Sequence, residues 1–350
     1  MAVVALATHR PVWAALGNSW DSRWYADIAR CGYGTVLPGR VPGMSRSDLA
    51  FFPLFPALER AVVTIVPISL TVAGLLVAWC SAGAAAWGIY AIGEHLHGRR
   101  TGTLLVLLWG LLPHAIVQTM AYSEPLMTAL AAWSLYALLT RRWLWAGTLA
   151  LLAGLTRPNA LAVAAAVLST AALVLWREKG VRRDWRIWTG AAFAPLGWLG
   201  YAAWVGVRSG RPLGYFKIQR EWGSRFDFGV SAFQFVRRIF TDRGAAPHLA
   251  YDMAVAVLLA AVAALVLFAL DRPPLPLLVY CFVLLVIAIG GTGFYASRPR
   301  FLLPAFPLLL PPALALTEAR PRTVIVLIAT VAAISLTYGA HMLYYASTAP

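Results

Sequence analysis

The 350-residue chain is 60% hydrophobic and only 12% charged, with a mean hydropathy of +0.71. Soluble globular domains carry about 25% charged residues, so that class is excluded. The net charge of +15 does not signal nucleic acid, because the basic residues are spread over short loops and not gathered on one soluble face. Anionic lipid or a phosphate-bearing substrate suits them better.

Repeated apolar runs of roughly 17–25 residues indicate a polytopic helical membrane protein. In lipid, backbone groups must be satisfied within the segment, which requires helices, and the alternating segments of a β-barrel are missing. The expected fold class is all-α: a membrane helical bundle of about ten transmembrane helices, with extracytoplasmic loops carrying short interfacial helices. A single domain over residues 1–350 is expected.

At the N-terminus, Met1–Ala7 is apolar but too short to span, and Arg10 and Pro11 follow. No cleavage-site pattern marks a signal peptide. The expectation is a late start, with a first transmembrane span missing; the other reading is a segment lying in the interface. A short helix follows from Asn18 or Ser19, with Ser19 as its N-cap and Trp20, Trp24 and Ile28 on one stripe. Arg23 and Asp27 could pair at i,i+4. A glycine- and proline-rich loop closes this first external segment, residues 18–50. The expected spans are then about 68–92, 103–121, 124–140, 143–156, 159–176, 187–207, 249–270, 275–292, 301–316 and 323–343, with a break at Arg157-Pro158.

Alternate connections carry Arg99-Arg100, Arg141-Arg142, Arg177 to Arg186, Arg272, and Arg320 with Arg322. These compact basic turns are expected in the cytoplasm. The opposite, extracytoplasmic face then holds residues 18–50, Tyr122–Pro125, Thr156–Asn159, the long external loop 208–248 and Tyr295–Arg300. Every unusual polar motif falls on that one face.

Asp21 is either a helix N-terminal carboxylate or a general base taking a proton from an acceptor hydroxyl. Glu124 at a membrane edge is costly unless paired, although Ser123 ahead of it could equally start a helix. Arg157 either snorkels or binds substrate, with Asn159 as a helix cap or a ligand; Arg298 and Arg300 face the same choice, with a phosphate as ligand. The Tyr215–Trp222 run mixes aromatic, basic and amide groups around Lys217, as a sugar-phosphate site or an interfacial segment would. His95, His97, His114, His248 and His341 show no metal-ligand spacing, and Cys31, Cys80 and Cys281 form no disulfide framework. No nucleotide-binding motif is present.

At Trp20–Tyr25 with Ile28-Ala29 and Gly32-Tyr33, Phe52–Pro56, Tyr122–Leu126, Leu155–Asn159, and Arg298–Phe301 with Pro304 and Pro307, the chain resembles the PIG-V-like mannosyltransferases of the C-type glycosyltransferase superfamily. The resemblance covers nearly the whole chain. It implies a multi-pass cell-membrane enzyme that transfers a sugar, expected to be mannose, from a polyprenyl-phosphate donor. The acceptor would be a lipid, glycan or protein hydroxyl on the extracytoplasmic face. Asp21 would be the base, with Trp20, Tyr25, Glu124, Arg157, Asn159, Lys217, Arg298 and Arg300 binding substrate. No cofactor is expected and a divalent metal is not indicated, although Asp21 with Glu124 could attract one. Membrane lipids are the other expected partners, and nucleic acid is not. The rival from another class is a lipid or solute transporter or flippase, but no internal repeat supports it.

Overall fold

The computed structural model describes residues 12–38, 45–241 and 249–345. Residues 1–11, part of the first external loop (39–44), Arg243 and His248 lie outside the described residues, so the expectations made for them are not addressed. The chain is a helical bundle with almost no sheet. Among the described residues four helical segments are long and apolar enough to cross a membrane: Leu70–His97, Pro158–Arg177, Leu249–Leu270 and Pro321–Tyr344. A fifth span results if Tyr295–Phe301 and Phe306–Glu318, bent by 80°, count as one.

That number is lower than the ten expected, for a local reason. In chain order the helices are α1 (Val12–Gly17), α2 (Asp21–Cys31), α3 (Leu54–Ile65), α4 (Leu70–His97), α5 (Arg99–Gly110), α6 (Glu124–Leu139), α7 (Trp143–Gly154), α8 (Leu161–Arg177), α9 (Trp185–Phe193), α10 (Leu196–Arg208), α11 (Gly214–Glu221), α12 (Val230–Thr241), α13 (Leu249–Leu270), α14 (Leu275–Gly290), α15 (Arg298–Phe301), α16 (Leu310–Glu318) and α17 (Pro321–Tyr344). Proline and glycine cut several runs short. Helix α5 stops at Gly110 ahead of Pro113, and α9 is separated from α10 at Pro195. A 12-residue helix such as α5 rises only about 18 Å, against about 30 Å of hydrocarbon. Helix α6 is buried on nearly every side, so protein and not lipid sets its length.

The core runs between α4, α5, α6, α7, α8 and α14. Small residues allow the closest approaches, as in other membrane bundles: a methyl on Gly147 of α7 would collide with the Gly190 carbonyl of α9. The break expected at Arg157-Pro158 is present. Helix α7 ends at Gly154, a 3-10 turn covers Pro158–Ala160, and α8 begins at Leu161. The result is a short irregular stretch that carries Arg157 at the end of the bundle.

Residues 18–50 contain a two-stranded sheet the sequence did not suggest, β1 (Val36–Pro38) antiparallel to β2 (Ser45–Ser47). Buried Asp48 accepts the amides of Gly34 and Thr35, both at 2.8 Å. The stretch after it is tied to α10 and to the segment that carries α11. The Tyr201 hydroxyl donates to the Phe51 carbonyl (2.6 Å), Trp222 Nε1 to Ser47 O (2.9 Å) and Gln219 Nε2 to Ala50 O (3.3 Å). Residues 47–51 are thereby held to α10 and α11.

Candidate active site

Helix α2 begins without a side-chain cap. Its N-cap is Trp20, at φ 50°, and not Ser19; a bulky residue at positive φ is a strained position that the surroundings must enforce. Arg23 donates to the Asn18 carbonyl (3.1 Å) rather than pairing with Asp27 as the i,i+4 spacing predicted. Asp21 is therefore the first helical residue, and its carboxylate does not cap its own helix. Asp21 Oδ2 instead meets Arg300 Nη2 at 2.8 Å, while the Asp21 amide points to the Tyr122 hydroxyl at 3.4 Å.

Arg300 comes from the four-residue helix α15, placed there by the 80° bend of the chain. Prolines 299, 304 and 307 each remove a backbone donor, which favours such a break. The Arg300 guanidinium lies 5.4 Å from the Tyr122 ring centre and 5.2 Å from that of Phe301. Behind it, Glu124 at the start of α6 is 1% exposed and faces Arg157 at 2.6 Å and Arg300 at 3.5 Å. Neither Glu124 oxygen accepts an aligned hydrogen bond, and Arg157 Nε, Arg300 Nε and Arg300 Nη1 are buried donors without one. Arg157 also donates to Ser123 Oγ at 3.2 Å, and Ser123 Oγ lies 2.7 Å from the Tyr25 hydroxyl. Burial pushes the Tyr25 hydroxyl well above its ordinary pKa, so it stays neutral and available as a donor.

Asp21, Tyr25, Arg157 and Arg300 border a cavity of about 580 Å³. Its wall carries five arginines, Arg157, Arg220, Arg225, Arg298 and Arg300, and among the described residues a single carboxylate, Asp21. Tyr25, Asn159, Trp198, Trp222 and a series of phenylalanines complete it. Trp198 Nε1 is another buried donor without a hydrogen bond. The chemistry offered is one base facing an excess of cations and open donors, in an aromatic surround.

Of the residues singled out from sequence, Asp21, Tyr25, Arg157, Asn159, Arg298 and Arg300 are on this wall. Three others are not. Glu124 stands one layer behind, where it can hold Arg157 and Arg300 but not touch a ligand in the cavity. Trp20 packs into the apolar cluster around Leu16, Met120 and Tyr122. Lys217 is off the wall and pairs with Glu221, one helical turn on, at 3.5 Å; it is the helical i+4 spacing that turns it along its own helix. Arg298 is on the wall yet engaged, donating to the carbonyls of Ile289 and Gly291 and lying 3.8 Å over the Tyr295 ring. It therefore closes the C-terminal end of α14, where carbonyls lack helical partners. Asn159 donates to the Phe301 carbonyl at 3.4 Å.

The sequence drew no attention to Trp198, which sits inside a run expected to span, or to Phe226 and Phe294. No short-range signal marks them, since their role depends on which elements meet. Among the described residues no three His, Cys, Asp or Glu side chains come together as a metal site; Asp21 and Glu124 both pair with Arg300.

No protein-family profile matches the chain, and no curated protein matches it. Solved structures do. ArnT from Cupriavidus metallidurans bound to undecaprenyl phosphate has a TM-score of 0.58 at 17% identity, with 95% of this chain and 62% of that one covered. The same enzyme in its apo state gives 0.56 at 16% identity, with equal coverage. The oligosaccharyltransferase of Archaeoglobus fulgidus, tethered with an acceptor peptide containing the NVT sequon, gives 0.50 at 11% identity and covers 100% of this chain and 55% of that one. The chain thus shares the fold of ArnT. It spans less than two thirds of the length of either neighbour.

Proposed function

We propose that the chain is a membrane glycosyltransferase that moves a sugar, mannose by its PIG-V-like motifs, from a polyprenyl-phosphate donor to an acceptor hydroxyl on the extracytoplasmic face. The observation that carries this reading is the lone wall carboxylate, Asp21, set in a cavity otherwise lined by five arginines. The similarity to ArnT, which binds undecaprenyl phosphate, supports the donor class. The gathering of the Asp21, Glu124, Arg157 and Arg300 loops at one end of the bundle supports the one-face topology.

In the proposed step the acceptor oxygen attacks the anomeric carbon while the bond from that carbon to the phosphate oxygen breaks. The phosphate leaves with the electron pair, and the hydroxyl proton passes to Asp21 Oδ1, the oxygen not engaged by Arg300. A single displacement of this kind inverts the anomeric centre. Arg300 orients Asp21 and, with the open donors of Arg157, stabilises charge on the leaving side. Glu124 positions both guanidiniums from behind. No soluble nucleotide-binding domain is needed, because the donor arrives within the membrane.

The test is transfer from labelled polyprenyl-phosphate mannose in vesicles, comparing wild type with Asp21→Asn. Loss of transfer in a variant that keeps its thermal transition supports the base; transfer at the wild-type rate removes it. Offering glucose and aminoarabinose donors beside mannose decides the sugar.

A further inference from the structure

Between Phe301 and Phe306 the chain turns through 80°, and the turn leaves backbone carbonyls without helical partners. Pro307 has no N–H to offer the Leu303 carbonyl four residues back. The Ala305 amide donates to Leu302 O (2.8 Å) and the Leu308 amide to Ala305 O (3.0 Å), the tighter pairing of 3-10 turns. The Phe301 and Pro304 carbonyls therefore lose the amides that an α-helix would bring them. Leu303 and Pro304 are buried, where an open carbonyl is costly.

Side chains from three separate elements fill these gaps. Trp109 Nε1, at the end of α5, donates to Leu303 O at 3.0 Å. The Tyr280 hydroxyl of α14 donates to Pro304 O at 2.9 Å. Asn159, from the 3-10 turn after α7, takes Phe301 O at 3.4 Å. Asn159 is also on the cavity wall, whereas Trp109 and Tyr280 are off it and only 4% and 0% exposed. The proposed transfer step uses neither of them.

Arg300 stands just ahead of the turn. Its helix, α15, has four residues, too few to hold a helical shape unaided. The Arg300 carbonyl accepts from the Leu303 amide at 3.2 Å, and Leu303 is the residue whose own carbonyl Trp109 holds. The backbone behind Arg300 is thus chained to Leu303 and Pro304, and those two are pinned to α5 and α14. The Arg300 guanidinium meets Asp21 Oδ2 at 2.8 Å; a shift of about 1 Å in such a site can cost about 10²-fold in rate.

We propose that Tyr280 and Trp109 are positioning residues: by filling the Pro304 and Leu303 carbonyls they fix the turn and hold Arg300 against Asp21. Their effect on rate rests on the transferase reading; the brace itself does not.

The experiment uses the full chain in detergent. Tyr280→Phe removes one hydroxyl and keeps the ring, so the fold is retained. Its matched control is Ser134→Ala, because the Ser134 hydroxyl, 0% exposed, donates to the Ala146 carbonyl at 2.8 Å. That bond is equally buried but joins α6 to α7 and does not touch the turn. Both variants should lower Tm by a similar few degrees. Tyr280→Phe is expected to speed amide hydrogen exchange across residues 296–305. It should also lower kcat about tenfold while changing KM for the donor by less than about twofold. Ser134→Ala should do neither, and Trp109→Phe, which loses the donor to Leu303, should follow Tyr280→Phe. Action through Arg300 has its own signature: added to Arg300→Gln, Tyr280→Phe should cost the residual transfer nothing more. Losses that multiply overturn the proposal, as do faster exchange with unchanged kcat or equal effects from Ser134→Ala. A wild type that transfers no sugar is a failure of the transferase reading alone. Exchange across 296–305 then decides the brace: faster in Tyr280→Phe and Trp109→Phe supports it, and unchanged overturns it.

Discussion

Helix α6 has an ion pair at each end, and the two differ in almost everything except residue type. At its start Glu124, 1% exposed, holds Arg157 and Arg300. Just beyond its other end Arg141 pairs with Glu178 through two hydrogen bonds, 2.9 and 2.6 Å, with side chains 62% and 38% exposed. The exposed pair has the better geometry, yet water screens it and its contribution is small. The buried cluster has poorer alignment and unmatched donors, and taking its charges out of water is costly. Good hydrogen bonds at the exposed end and unfinished ones at the buried end are what a structural pair and a ligand-binding cluster, respectively, should show.

Four substitutions test that contrast, in order of expected effect. Asp21→Asn keeps the side-chain shape and removes the base, so sugar transfer should fall by 10²–10⁴-fold, roughly the contribution of general base catalysis, with little change in Tm. A fall of less than tenfold would place Asp21 outside the chemistry.

Glu124→Ala leaves Arg157 buried without a counter-charge and Arg300 with Asp21 alone. Removing one partner of such a cluster costs about 3–5 kcal/mol, which chemical denaturation would register, and activity should fall with it. Restoring the charge as Glu124→Asp should recover part of both. A Glu124→Ala protein as stable as wild type would mean the cluster is already hydrated.

Glu59 in α3, a helix outside the spans, supplies a pH-dependent case. Its side chain is 1% exposed against Gly74 of α4, and burial pushes its pKa up to about 9 from a model-peptide value of 4.5. A folded pKa above the unfolded one means the native state binds the extra proton. Stability from this group is then full below about pH 4.5 and is lost as pH rises towards 9. Glu59→Gln should flatten the decline of Tm across that window and raise Tm by several degrees at pH 8. An unchanged slope would show that Glu59 is not the titrating group.

The smallest effect is expected from Arg141→Ala at the exposed end, within about 2 °C in Tm and with transfer unaffected. A large loss there would erase the distinction between the two ends of α6.

Much of the site was legible from sequence because its motifs are polar interruptions in an apolar chain. Tyr122–Pro125, Thr156–Asn159 and Arg298–Arg300 stood out for that reason, and alternation of basic turns put them on one face. What could not be read was how their charges would be shared. Lys217 had the composition of a ligand, but a glutamate four residues on turns it along its own helix. Glu124 had the look of a contact residue, and only packing shows it to lie a layer deeper. The Asp21 helix was expected to be capped by Ser19; Trp20 takes that position, and the aspartate is left for Arg300.

The sequence by itself determined that this is a helical membrane protein, that its helices break at Arg157-Pro158, and which polar segments gather together. Those properties follow from hydropathy, from proline's missing donor and from the distribution of arginine, all of them local. Only the tertiary structure decided that Asp21 is paired with Arg300 and that Glu124 serves two arginines from behind. Each of those depends on pairing between residues from 33 (Glu124 and Arg157) to 279 (Asp21 and Arg300) positions apart, and pairing of charges across such separations is set by how helices pack.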